Sequence, residues 1–429
     1  MISSYLAVVK NPKFRNLWLG QISSQIALNM LIFVLAIRVY QQTHSNTAVS
    51  LMLLAFGIPS IMFGILAGGL VDFFDKRLVL IFCNIFRVLI FLALFFLQSN
   101  LLAIYALIII ISIVTQLFVP AEAPSIPILV EPSDILTANS LFTVSFYLST
   151  ITGFILSGPM LNIFGFRNVY LIMTFIMLLA TYFVYLVPPI KPKKRNLDIH
   201  MNLNFIGKTV EDGLLFIKSN ERITQSLILV TFSQALISTL AVLAPGFADK
   251  VLRIALTEAS YLVMGPAAVG LIIGAVWIGG FGIKFLKGSI ILSGISISAV
   301  VLLLLSLATR LSQGNNLLAV IILLFFLFLS NSFISVPANT ILQEDSKSDM
   351  RGRVYGVLTS LTGGVSLLPV LFSGLLADVI GVGKTLAIIG FVVLIIGAYH
   401  YLQRRRANNI IKLSNQQILK STNSQIKNI

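Results

Sequence analysis

Apolar residues along this chain come in long unbroken runs rather than in stripes. Trp18 to Ile37 carries no charge over 20 residues and Ala48 to Val71 none over 24. About 20 apolar residues cross a bilayer core as a helix. The runs lack the apolar/polar alternation of a membrane strand, so the predicted elements are helices. Twelve spans are predicted near 17–39, 48–71, 78–97, 101–119, 138–163, 168–187, 223–247, 259–281, 288–308, 316–341, 354–379 and 383–402. The first is too long for a cleaved signal, and no small-residue cleavage site follows it. The break after the sixth carries PPIKPKKRN and then apolar residues at helical spacing (Phe205, Ile206, Val210, Leu214, Leu215), which predicts an interfacial helix. The expected organisation is a six-helix bundle over 1–187, a linker over 188–222, a second bundle over 223–403 and a weakly ordered tail over 404–429.

Composition agrees with a membrane chain. Hydrophobic residues make up 57% and charged residues only 10%, where a soluble domain carries about 25% charge. The single Cys83 excludes a disulfide framework and a multi-cysteine metal site and reads as a packing residue. No metal and no cofactor are expected. The net charge of +15 raises the question of a nucleic-acid partner. With the N terminus inside, 23 of the 30 Lys and Arg fall on the inner side, five outside, and Arg38 and Arg87 within spans. Positive residues are retained on the cytoplasmic face. The basicity is therefore topological, with anionic lipids as counterparts and no nucleic acid. The expected location is a bacterial inner membrane, with both termini cytoplasmic.

The two halves repeat. Val119-Pro120-Ala121, Ser157-Gly158 and Gly165 recur as Val336-Pro337-Ala338, Ser373-Gly374 and Gly381, at offsets of 217, 216 and 216. Ser24-Gln25 and Gly68-Gly69 recur as Ser233-Gln234 and Gly279-Gly280. Such order predicts a duplicated six-helix unit, one of the known transporter architectures.

The second run ends in GGLVDFFDKR, Gly68 to Arg77. Gly68 and Asp72 share a helix face. Gly68 admits a close helix neighbour, and Asp72 is placed to accept from a helix N-terminus or an Arg. A solvated turn obeying the positive-inside rule is the other reading from charge alone. The stretch resembles the loop motif of the major facilitator superfamily: Gly68, Leu70, Asp72, Asp75, Lys76 and Arg77 match, and Phe73 stands where a base is usual. The second copy, from Gly279, has lost the Asp. FRNLWLGQISSQ, VPAEAPSIPILVEPSDILTANSL and MRGRVYGVLTSLTGG resemble the branch that contains macrolide-efflux proteins and the enterobactin exporter. Gly153, Gly158 and Pro159 resemble a degraded antiporter motif in which Leu161 and Asn162 replace later glycines. The resemblance implies an all-α polytopic membrane protein with twelve transmembrane helices in two pseudo-symmetric bundles. It also implies alternating access, commonly proton-coupled export, and a latch role for Gly68, Asp72, Asp75, Lys76 and Arg77.

Charge inside a membrane is expensive and marks function. Arg87 lies about 15 Å into span three at 1.5 Å per residue, too deep for easy snorkelling, so it is expected to face the bundle and find an acid or carbonyls. Glu122, at the end of span four, is the candidate to join Arg87 in a coupling or ionic network; its other reading is a residue of the VPAEAP turn. Gln21, Gln25 and Asn29 lie on one face of span one, Gln234 occupies the repeat position of Gln25, and Asn331 and Ser335 lie four apart on span ten. In the fold that the resemblance implies, these spans line a cavity, so the six are candidate cavity residues; helix–helix hydrogen bonding is the equal rival. A lightly charged cavity favours lipophilic or amphipathic molecules. The expected function is secondary active, proton-coupled efflux of such small molecules by a monomer. A lysolipid flippase is the alternative, and a non-transporting receptor ranks below it. No Ser/His/Asp set, H-E-x-x-H or P-loop is present, so no enzyme is expected.

Overall fold

The computed structural model describes residues 2–71, 73–191, 215–309, 317–345 and 367–402. Asp72, all of Met350–Gly364, the expected tail and the expected interfacial helix up to Leu214 lie outside them. Among the described residues every regular element is helical. The elements are α1 (Ile2–Lys10), α2 (Pro12–Thr43), α3 (Asn46–Val71), α4 (Lys76–Leu97), α5 (Leu101–Glu122), α6 (Ile126–Leu129) and α7 (Ile135–Tyr185). Then come α8 (Glu221–Phe247), α9 (Ala259–Leu262), α10 (Met264–Gly280), α11 (Lys287–Ala308), α12 (Leu317–Asp345) and α13 (Leu367–Ile380), followed by α14 (Val382–Leu402). Ten helical stretches among the described residues are long and apolar enough to cross a membrane. The longest, through α7, makes two passes about Gly165, and α13 is a shorter apolar helix. Together these correspond to the twelve spans read from the sequence, the eleventh being described from Leu367 onward.

Local sequence sets the helix ends. Asn11, Asn100 and Asn220 each place a side-chain oxygen on an N–H of the first turn, of Lys13, Ala103 and Ile223 respectively. Pro12 follows Asn11 at the first helical position, where its missing N–H costs nothing. His44 closes α2 in the left-handed region, its N–H on the Tyr40 carbonyl at 2.7 Å. Gly165 (φ 70°) and Gly381 (φ 88°) are the two positive-φ glycines among the described residues. They are 216 positions apart, and each breaks its chain between a pair of spans, α7's two passes and α13/α14. The duplication read from the sequence thus coincides with a shared positive φ that glycine adopts without strain.

The helices gather into two compact units. One comprises Met1–Ala268 and Asn339–Val382. In it α7 packs along α2 and α4, and α13 packs on α3 and α8. Its apolar core near the α3–α4 turn joins Phe14, Leu17, Leu80, Cys83, Phe118 and Val184. The Phe14 and Phe142 rings meet edge to face at 5.7 Å. The other unit, Val269–Ala338 and Gly383–Ile429, is knit by small residues. A Cβ at Gly274 would lie 2.8 Å from the Leu329 carbonyl, and the Ser298 and Ser330 hydroxyls share a hydrogen bond of 2.7 Å.

Candidate functional site

The charged loop docks against its own half of the chain. Asp75 is the N-cap of α4: one oxygen, Oδ1, accepts from Arg77 N (2.9 Å) and from Ile190 N (3.0 Å), while Lys76 N donates to the Ile190 carbonyl (3.1 Å). Arg77 reaches the Tyr185 carbonyl and lies 5.0 Å over the Tyr185 ring. Lys76 is buried. Asp75, Lys76 and Arg77 therefore bind the start of the polypeptide that leaves α7. Gly68 closes α3 as helix backbone; Asp72 lies outside the described residues.

The span-one stripe points mainly at a helix. Gln21 Nε2 donates to the Phe142 carbonyl (3.4 Å), and Asn29 Nδ2 donates to the Gln25 carbonyl (2.8 Å) and Thr150 Oγ1 (3.4 Å). Trp18 Nε1 donates to Ser145 Oγ (2.7 Å) on the same side. These bonds tie α2 to α7. Gly153 permits the approach, since a Cβ there would lie 2.8 Å from both Asn29 Cβ and the Ile26 carbonyl. Farther along α7, Gly158 N donates to Ser260 Oγ of α9 (3.1 Å), and a Cβ would collide with Ser260 and the Thr257 carbonyl. Pro159 follows inside α7. Gln234 is exposed on α8; Asn331 is buried and Ser335 half-buried on α12 in the second unit.

Arg87 of α4 and Glu122 of α5 are both buried, and Arg87 contacts the α5 face that carries Glu122. Thr115, Phe118 and Glu122 fall at i, i+3 and i+7 on α5, one helical face. Arg87 Nη1 donates to Asn84 Oδ1 (3.2 Å), Nη2 donates to Thr115 Oγ1 (3.2 Å), and the guanidinium lies 4.3 Å above the Phe118 ring. Cys83 packs beside it, its thiol on the Val114 carbonyl. Arg87 is 1% exposed and Glu122 9%. One Glu122 oxygen, Arg87 Nε and Asn84 Nδ2 are buried without a protein partner. With Lys76 at the start of α4, these are the buried charges among the described residues. Arg38, in contrast, is held near the opposite end of α4 by the Gln98 carbonyl (3.0 Å) and Ser99 Oγ (3.1 Å). Asn84 and Thr115, which complete the Arg87 setting, were not singled out in the sequence; their spacing of three from Arg87 and from Phe118 is the signal that marks them. Among the described residues no group of three or more His, Cys, Asp or Glu is placed to hold a metal.

The family profile described as the Major Facilitator Superfamily matches residues 17–369. The chain belongs to the Major Facilitator Superfamily. Among curated relatives, this superfamily member is 24% identical over 392 residues to the uncharacterized transporter YfiS of Bacillus subtilis, covering 88% of this chain and 90% of the relative. It is 25% identical over 405 residues to macrolide efflux protein A of Streptococcus pyogenes, covering 90% and 94%. Solved structures with the same fold include nucleoside transporter NupG (TM-score 0.74, 12% identity, 91% and 99% covered) and the POT family transporter PepTSo (0.72, 12%, 92% and 98%). A bacterial homologue of the lysosomal transporter Spinster in an inward-facing conformation is a third (0.67, 14%, 91% and 97%). The chain is thus a multi-pass membrane transporter of small molecules and not an enzyme.

Proposed function

We propose that this superfamily member exports small lipophilic or amphipathic organic molecules across a bacterial inner membrane by alternating access, driven by inward proton movement, with both termini cytoplasmic. The observation that carries the reading is the Arg87–Glu122 cluster. A buried carboxylate with one oxygen unpartnered is costly when ionised and can take a proton. The guanidinium opposite stabilises the charged form, so gain and loss of a proton at Glu122 change the attraction between α4 and α5. That gives the proton an effect on helix packing, which coupling requires.

The substrate class rests on two supports. The polar positions of α2, α8 and α12 named above are uncharged, and macrolide efflux protein A is a full-length relative. The distribution of Lys and Arg supports the orientation. In this reading Gly68–Arg77 forms the cytoplasmic latch, with Asp72 as its movable contact and Asp75 as its fixed anchor, and lipid headgroups meet the surrounding bases. The test is dye transport in proteoliposomes under an imposed pH gradient, comparing the wild-type protein with Glu122→Gln.

A further inference from the structure

At the end of the first unit opposite the Gly68–Arg77 loop, one carboxylate gathers five donors. Asp378, near the end of α13, accepts through Oδ1 from Asn46 N (2.8 Å) and Asn46 Nδ2 (3.0 Å). Through Oδ2 it accepts from Thr47 N (2.9 Å), Thr47 Oγ1 (2.7 Å) and Ser45 Oγ. Ser45 is itself the residue that caps α3, its hydroxyl oxygen accepting from Ala48 N (3.2 Å). The first N–H groups of a helix have no partner inside it and carry the positive end of its dipole. Asp378 supplies that partner from a helix more than 300 residues away in sequence.

Around this contact the backbones are drawn together by small residues. Val370, Ser373, Gly374 and Ala377 form the buried face of α13. A Cβ on Gly374 would collide with Ser50 Oγ and lie 2.7 Å from the Asn46 carbonyl, and a Cβ on Gly246 of α8 would collide with the Asn46 amide. Ser50 Oγ donates to the Val370 carbonyl (2.9 Å). Close by, the Tyr40 hydroxyl donates to Asp249 (3.2 Å).

The repeat isolates what the carboxylate adds. Gly158 against Ser260 and Gly374 against Ser50 are the same contact in the two halves, with offsets of 216 for the glycines and 210 for the serines. The residue 216 positions before Asp378 is Asn162, which is exposed. Both halves therefore make the small-residue approach, and only one closes it with a charge.

We propose that Asp378 is a positioning residue of the transport cycle, a latch that holds α13 on the N-terminus of α3 and sets how often that end of the chain opens. The carboxylate sits at the exposed rim, so the five donors exchange for water when the helices part, and the contact is strong but reversible. The proposal rests on membership of the transporter superfamily and not on the substrate or the proton.

The test uses the purified full-length chain in detergent with Cys83→Ala and Ser373→Cys, a buried position beside Gly374, and reads the rate of labelling by a fluorescent maleimide. Asp378→Asn is expected to raise that rate roughly two- to thirtyfold, the range of a charge at a helix N-terminus. Asp378→Glu is expected to fall between, and Thr47→Val, which removes one donor, to raise it less. An unchanged rate in Asp378→Asn overturns the proposal. So does an equal rise at a control cysteine, Ser298→Cys, buried in the other unit, because general loosening would then explain the effect. No substrate or gradient enters the assay, so its outcome and that of the efflux reading are separable.

Discussion

The guanidinium of Arg87 lies 4.3 Å over the ring of Phe118, with Glu122 one turn farther along the same face of α5. A desolvated cation over an aromatic face is stabilised by about 2 kcal/mol or more. Phe118→Leu keeps apolar volume and removes the ring. It is expected to cost about 1–2 kcal/mol and lower the thermal unfolding midpoint in detergent. If Phe118→Leu melts with the wild type, the ring does not hold the charge.

Arg87→Lys keeps the charge but loses the planar fork that reaches Asn84 and Thr115 together. Transport is expected to fall well below that of the wild type while expression is retained, because lysine is a point charge that cannot serve both helices in one geometry. Equal initial rates of dye export for the two proteins would remove the guanidinium from the account.

Gly158 and Gly165 lie seven residues apart in α7 and should respond differently to alanine. At Gly165 a Cβ meets nothing within 4 Å, so Gly165→Ala carries only the backbone cost of its φ 70°, ψ 168° conformation, about 1–3 kcal/mol. At Gly158 the Cβ collides with Ser260 and the Thr257 carbonyl. Gly158→Ala is therefore expected to force α7 and α9 apart and depress transport more than Gly165→Ala does, with Gly374→Ala behaving like Gly158→Ala. Thermal melts and export rates on the same four proteins decide this; similar losses for all three variants would reduce the contacts to generic glycine effects.

Within the loop, the two acids should separate. Asp75 caps α4 and holds Ile190, and Asn caps as well as Asp. Asp75→Asn is expected to keep stability, and Asp75→Ala to lose about 1 kcal/mol. Asp72→Asn is expected to slow turnover while leaving equilibrium substrate binding intact. Loss of binding in Asp72→Asn, measured by ligand titration, would contradict its role as the movable contact.

Much of the fold was written in the run lengths and in the repeat. The described span ends fall within a few residues of their expected positions because charge, Asn caps and glycine breaks punctuate apolar runs visibly. Gly165 and Gly381 stood out by their offset before their shared φ was known. The side-chain directions were less legible. Gln21, Gln25 and Asn29 form the same polar stripe whether they face water or a neighbour, and only packing assigns Gln21 and Asn29 to α7. Arg87 was expected to turn inward from its depth alone, whereas Asn84 and Thr115 drew no notice, since single uncharged polar residues are common in apolar helices. In the sequence Asp378 reads only as an acid near the end of the eleventh predicted span. Its partners lie in another helix, and no local pattern joins residue 378 to residues 45–47. The hydroxyl and amide run Ser45-Asn46-Thr47, a helix-capping sequence opposite an acid whose repeat mate is Asn162, was the available signal.

The central claim is that a proton at Glu122 is tied to substrate export. The most direct measurement is dye accumulation in inverted vesicles or proteoliposomes with an imposed pH gradient. Wild-type accumulation should follow the gradient and collapse when it is dissipated, and Glu122→Gln should bind the dye yet fail to accumulate it. Accumulation that ignores the gradient, or gradient-driven accumulation that survives in Glu122→Gln, would contradict the account.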